Sequence, residues 1–183
     1  MNSQPFTRRA LFIAGVCLLA LAGCVQPLVD AETQKKLVVG KVTVDASAIQ
    51  PIGGGREITL TRQQIEQDLT AALSSQMIRP GQGRPNARVA VQVDEVWLVS
   101  RGQSFITGGK SNIRGTMTVT DLASGKQILP PTKVFGMNEG FRLNGVIGAL
   151  TAPEPEKDYA GTVAGFAHQV AVQLLGEPDK AAK

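Results

Sequence analysis

The chain has 183 residues and a formal net charge of +4, with 43% hydrophobic and 4% aromatic residues, one His and two Cys. No run of five like charges occurs and the few aromatics are not interleaved with basic residues, so a nucleic-acid surface has no support. One His and two Cys are too few for a zinc centre of the usual four His and Cys ligands or for a disulfide framework.

The N-terminus carries Arg8 and Arg9 without an acid, and Ala10–Leu21 follows as an almost unbroken apolar run. Twelve residues of helix span about 18 Å, well short of a hydrocarbon core of roughly 30 Å, so the segment reads as an export signal rather than a permanent span. Its end, Leu21-Ala22-Gly23-Cys24, resembles the bacterial lipobox. The resemblance implies cleavage after residue 23 and lipidation at Cys24, with several acyl chains giving lasting attachment. Val25 stands where an Asp would resemble an inner-membrane retention signal, which favours the periplasmic side of the outer membrane over the outer leaflet of the inner membrane. Thr7-Arg8-Arg9-Ala10-Leu11-Phe12 also looks like an incomplete twin-arginine signal, and the export route stays open. Removal of residues 1–23 takes away two of 19 Lys and Arg and none of 15 Asp and Glu, leaving a mature charge of +2.

Residues 24–36 are expected to form a lipidated tether, residues 37–176 a single domain, and residues 177–183 a polar tail. Leu37–Val44 reads as a strand with Val38, Val42 and Val44 on one side. Gly53-Gly54-Gly55 breaks the chain, and Thr61 with Gln64 resembles a capping box ahead of Ile65, Leu69, Ala72, Leu73 and Met77, one face of a helix that Pro80-Gly81 ends. Val89, Val91 and Val93 alternate with polar residues, and Val96–Val99 extends the strand, either buried on both faces or bulged near Glu95. Ser111–Thr120 is a strand with Ile113, Met117 and Val119 on its dry face. After a turn at Asp121–Gly125 the chain returns through Lys126–Leu129 and Lys133–Met137, interrupted by Pro130-Pro131 as at an edge or a bulge. A closing helix is expected from about Asp158 as N-cap, with Tyr159, Val163, Phe166, Val170 and Leu174 as its stripe and Gly176 as its stop.

The order β-α-β-β-β-α defines an α+β fold, a mostly antiparallel sheet with two helices packed on one face. Val89–Val99, the hairpin Met117–Lys126 and the closing helix loosely resemble small proteobacterial outer-membrane lipoproteins, including transport-auxiliary lipoproteins and the globular part of the curli-secretion lipoprotein. Such topological cues carry no specific function.

Chemical motifs are sparse. Gly108-Gly109-Lys110-Ser111 ends like a phosphate-binding loop, but Ser104 stands where its first Gly belongs and a strand follows where a helix is needed. His168 is the only histidine and lies off the apolar stripe, with no nucleophile elbow to serve. Glu154, Glu156 and Asp158 read as a solvated acidic linker rather than a calcium loop. Asp94 and Glu95, adjacent on a strand, are expected on opposite faces. No catalytic residue, metal site or cofactor is expected. Phe141–Leu150 is apolar and glycine-rich where a loop should be polar; Phe141, Leu143, Val146, Ile147 and Leu150 form either a segment packed under the sheet or a contact surface for a partner. The sequence thus points to a non-catalytic envelope lipoprotein that binds a protein partner or an apolar ligand as an assembly or transport accessory. A subunit of an oligomeric complex or secretion pore and a periplasmic enzyme are the alternatives.

Overall fold

A computed structural model describes residues 26–49, 58–100, 109–139 and 153–177. Among the described residues three helices and four strands follow one another: α1 (Ala31–Lys36), β1 (Val39–Asp45), α2 (Arg62–Met77), β2 (Ala87–Trp97), β3 (Asn112–Asp121), β4 (Gln127–Met137) and α3 (Pro155–Leu175). The sheet order is β1-β2-β3-β4, with β1 parallel to β2 and the two hairpin pairs antiparallel. The parallel pair follows from connectivity, since α2 forms the crossover between β1 and β2. Both long helices pack on one face of the sheet and on each other, which makes this the α+β arrangement expected from the order of elements.

The core lies between that face and the two helices. Ile65, Leu69, Leu73 and Met77 of α2 are buried, as the i, i+4, i+8 spacing requires, and they meet Tyr159, Val163, Phe166, Val170 and Leu174 of α3 over the inward valines of β2. At the start of α2 the Thr61 hydroxyl accepts a bond from the Gln64 amide at 3.1 Å. The far end of β1 is tied to the same helix, where Glu66 accepts from the Ala46 amide at 2.8 Å.

Bulges change which residues face inward. In β1, Val39 pairs with Ala87 and Lys41 with Arg88, so Gly40 is the extra residue. Burial therefore runs Leu37, Val39, Val42, Ala46, and Val38 does not share the inward face of Val42 as its spacing suggested. A Cβ at Gly40 would run into Pro85. In β2, Val93 pairs with Gly115 and Glu95 with Arg114, which places the bulge at Asp94, next to the expected site. In β4, Met117 pairs with Thr132 and Val119 with Leu129, so Pro130-Pro131 sits in a bulge on an edge strand, where a missing N–H costs no ladder bond. The β3–β4 turn closes where the Ser124 hydroxyl and amide donate to Asp121, which holds that carboxyl below its ordinary pKa.

Two boundaries differ from the sequence expectation. The stretch assigned to the tether contains α1, capped by Asp30, whose side chain accepts from the Thr33 amide at 2.9 Å. Leu28 and Val29 pack on the core, and the Leu28 amide donates to the Gln173 carbonyl at 2.9 Å, so folded structure begins nine residues before Leu37. Asn86 secures this entry, accepting from the Val38 amide and donating to the Lys36 carbonyl. The second boundary is that of α3, which begins at Pro155 with Glu154 as N-cap, not at Asp158. Proline suits the first helical position because its missing N–H would have no partner there.

Glycine sets the distance between α3 and the sheet. A Cβ at Gly165 would collide with the Met137 carbonyl, one at Gly136 with the backbone of Phe166, and one at Gly161 would stand 2.7 Å from the Asn138 amide nitrogen. Gly165→Ala should therefore destabilise the protein by about 1 to 3 kcal/mol, although alanine is the better helix former by about 0.5 to 1 kcal/mol. Thermal denaturation should show a melting temperature lower by several degrees; a rise would mean that helix and strand do not approach so closely.

Candidate functional site

The α2–α3 surface carries a groove of about 500 Å³. From α2 it takes Gln64, Asp68, Ala71 and Ala72, spaced as one helical face; from α3 it takes Glu156, Tyr159, Ala160, Val163 and Ala164, spaced likewise; Ile58 and Leu60 line it from the chain ahead of α2. Its size lies within the range of small-ligand sites, roughly 300 to 1,000 Å³. Four alanines leave the space between the helices open, and the charged lining residues, Asp68 and Glu156, are both acidic.

Two successive residues of α3 fix the groove. Tyr159 is buried, and its hydroxyl donates to Asp68 Oδ2 at 3.1 Å, bridging the two helices. Burial, with the charge of Asp68 beside it, pushes the phenol well above its ordinary pKa of 10.0. Asp158 points the other way, into the sheet, and is fully buried. Its carboxyl accepts from the Ser111 hydroxyl at 2.5 Å and from the Asn138 amide at 2.9 Å, while Ser111 Oγ accepts from the Val99 amide at 3.0 Å. Thr162, one turn on, closes the set by donating to the Asp158 carbonyl at 2.6 Å. A buried carboxyl is tolerated in an apolar interior when donors surround it in this way. Here it joins the end of β2, the start of β3, the end of β4 and the first turn of α3.

Most sequence candidates are not brought together. Cys24, Phe141, Leu143, Val146, Ile147 and Leu150 lie outside the described residues. Ser111 belongs to the Asp158 cluster and leads directly into β3, so Lys110-Ser111 does not open a phosphate-binding helix. Glu154 stands at the N-cap position of α3 without a side-chain cap bond, Glu156 lines the groove and Asp158 is buried against the sheet, so Glu156 and Asp158 belong to the helix and not to the solvated linker expected. Among the described residues no group of three His, Cys, Asp or Glu could hold a metal ion. His168 is half-buried on α3, outside the groove.

Asp94 and Glu95 depart from expectation. Strict alternation puts adjacent residues on opposite faces, but the bulge turns both onto the open face. There Asp94 meets Lys133 Nζ at 2.8 Å and the Thr116 hydroxyl at 3.2 Å, and Glu95 meets Arg114 at 3.3 Å. Both carboxylates are thus ion-paired on a solvated surface, where such pairs contribute about 0 to 1 kcal/mol.

Sequence reasoning missed both Tyr159–Asp68 and Asp158–Ser111. Tyr159 reads simply as a stripe residue, and nothing in the chain marks Asp68, 91 positions away, as its partner. Pro155 was the available signal that Asp158 lies inside the helix.

No protein-family model and no curated relative matches the chain. Among solved structures it is similar to a "putative lipoprotein" from Caulobacter crescentus CB15, at 13% identity over 79% of this chain and 91% of that one, with a TM-score of 0.36. A Xanthomonas campestris protein of the DUF330 family is similar at 11% identity over 76% and 81% of the two chains, with a TM-score of 0.40. The PelC dodecamer from Paraburkholderia phytofirmans is similar at 15% identity over 74% and 89%, with a TM-score of 0.33. Likeness at this level carries no argument about function.

Two measurements check the geometry. Asp158→Ala removes an acceptor from buried Ser111 and from half-buried Asn138, and at about 1 to 3 kcal/mol for a buried donor left without its acceptor it should cost at least about 1 to 3 kcal/mol in thermal or chemical denaturation. An unchanged melting temperature would show that the cluster does not hold α3. Tyr159 is the only tyrosine. Because its folded pKa lies above its unfolded value, the stabilisation is complete below pH 10.0 and is lost as pH rises above it. An ultraviolet titration should therefore show little tyrosinate at pH 10.0 while the protein is folded, and half-ionisation there would contradict the Tyr159–Asp68 contact.

Proposed function

We propose that this protein is a lipid-anchored, non-catalytic accessory of the bacterial envelope, facing the periplasm from the outer membrane and binding a partner through the α2–α3 groove. The observation that carries the reading is the distance between anchor and fold. Cys24 of the lipobox lies four residues before Leu28, which is hydrogen-bonded to the last turns of α3. Four extended residues span at most about 14 Å, so lipid on Cys24 keeps the C-terminal end of α3 close to the membrane. Val25 after the modified cysteine supports the outer membrane as its place.

A binding role is supported by the composition of the groove. Its walls are mainly aliphatic, and its polar pair, buried Tyr159 and half-buried Asp68, is already engaged with itself. The buried Asp158 likewise spends its acceptors on Ser111 and Asn138, which suits scaffolding rather than proton transfer.

Cys24→Ala tests the anchor. Metabolic labelling with an alkyne fatty acid should fall to background, and the variant should accumulate with its N-terminal segment uncut. Density fractionation of the unaltered protein should place it with outer-membrane markers. Persistent labelling of the alanine variant would overturn the anchor, and migration with inner-membrane markers would overturn the location.

A further inference from the structure

We propose that the α2–α3 groove receives an amphipathic helix of a partner protein, presented with an apolar stripe flanked by basic residues, at the end of the domain remote from the lipid. The inference rests on the envelope reading only for where the groove faces; its shape and charge stand apart from that reading.

Shape comes first. Each wall is the side of a helix, with Asp68, Ala71 and Ala72 on one and Ala160, Val163 and Ala164 on the other. Residues three and four apart form ridges, and a third helix can lay its own ridges between them where the wall residues are small. Alanine allows that close approach without a void. The space is an open trough between two helices rather than an enclosed cavity, which suits a helix, with one face buried and one wet, better than an acyl chain that must be covered all round.

Charge selects among helices. The charged residues of the lining, Asp68 and Glu156, are both acidic, and Glu156 is exposed at the rim. A helix with Lys or Arg beside its apolar stripe gains from both, whereas an acidic one meets like charge. A second copy of the chain meets the same repulsion, because a two-fold contact would bring each groove's acids onto the other's.

Position agrees. The folded chain enters at Leu28, beside Gln173 near the end of α3, and the groove is centred on Ala160. Thirteen residues of helix separate the two, about 20 Å. The tethered end and the groove therefore lie toward opposite ends of α3.

The test uses the chain from Val25 onward, which retains every core residue. The probes are a Leu/Lys peptide of roughly 18 residues, about five turns, its Leu/Glu counterpart with the same spacing, and a dansylated fatty acid. Calorimetric titration should show the Leu/Lys peptide binding at least about tenfold more tightly than the Leu/Glu peptide, a difference of about 1.4 kcal/mol. Ala164→Trp fills the trough without changing charge; it should weaken the peptide about tenfold or more while leaving the melting temperature in place, because Ala164 is exposed. Ala71→Trp does the same from the opposite wall, should Ala164→Trp fail to fold. Glu156→Lys should narrow the gap between the two peptides. Equal binding of both peptides, or binding indifferent to tryptophan on either wall, would overturn the proposal. So would uptake of the fatty acid in preference to the peptide, or self-association that Ala164→Trp abolishes. Lipid labelling at Cys24 is read separately, so loss of the anchor and loss of the groove are distinguishable.

Discussion

The close seating of α3 on the ends of β3 and β4 is the constraint on which the other features depend. Gly136, Gly161 and Gly165 remove the side chains that would hold the helix off the sheet, and Phe166 packs into the contact they create. Close approach by itself would leave rotation about the helix axis free. Asp158 and Tyr159 remove that freedom, the first by bonding to Ser111 and Asn138 on the sheet side, the second by bonding to Asp68 on the α2 side. Adjacent residues on a helix point about 100° apart, so two anchors in sequence define an orientation as well as a distance. The polar bonds are modest singly. Their placement at one end of a long helix makes a shift of that end expensive, because it would leave several buried groups unsatisfied at once.

The same seating makes the groove. With α3 fixed to the sheet and α2 tied to β1 through Glu66 and to α3 through Asp68, the two helices cannot close further, and alanines at the facing positions leave the space between them unfilled. The result is an open, mainly aliphatic surface with two acidic side chains in its lining. Around α3, Tyr159 is bonded to Asp68 and Asp158 to Ser111 and Asn138.

The sheet contributes differently on its two faces. Its inner face is continuous with the core, and the bulges at Gly40 and Asp94 keep it apolar where strict alternation would have turned polar residues inward. Its outer face keeps threonines and the two ion pairs of Asp94 and Glu95 in solvent. Short-range geometry at a bulge thus decides whether a charged residue is a core defect or a surface feature, and in this chain it decides for the surface.

Sequence by itself determined the succession of elements from β1 onward, the α2 cap at Thr61, the dry face of β3 and the edge position of the Pro130-Pro131 strand, because each rests on periodicity or on the local chemistry of one or two residues. The likeness of Leu21-Ala22-Gly23-Cys24 to a lipobox is of the same kind, a local pattern that is read without a fold. What tertiary structure decided was everything that needs two distant segments to meet. Asp158 changed from a helix cap to a buried acceptor because Ser111 and Asn138 come to it from 47 and 20 residues away. Leu28 changed from tether to fold because it finds the end of α3, and Asp94 and Glu95 share a face because one extra residue in β2 breaks the period of two. The groove is the clearest case: each of its walls reads in the sequence as an ordinary helix flank, and only the distance at which glycine and two polar bonds hold those helices leaves a space between them.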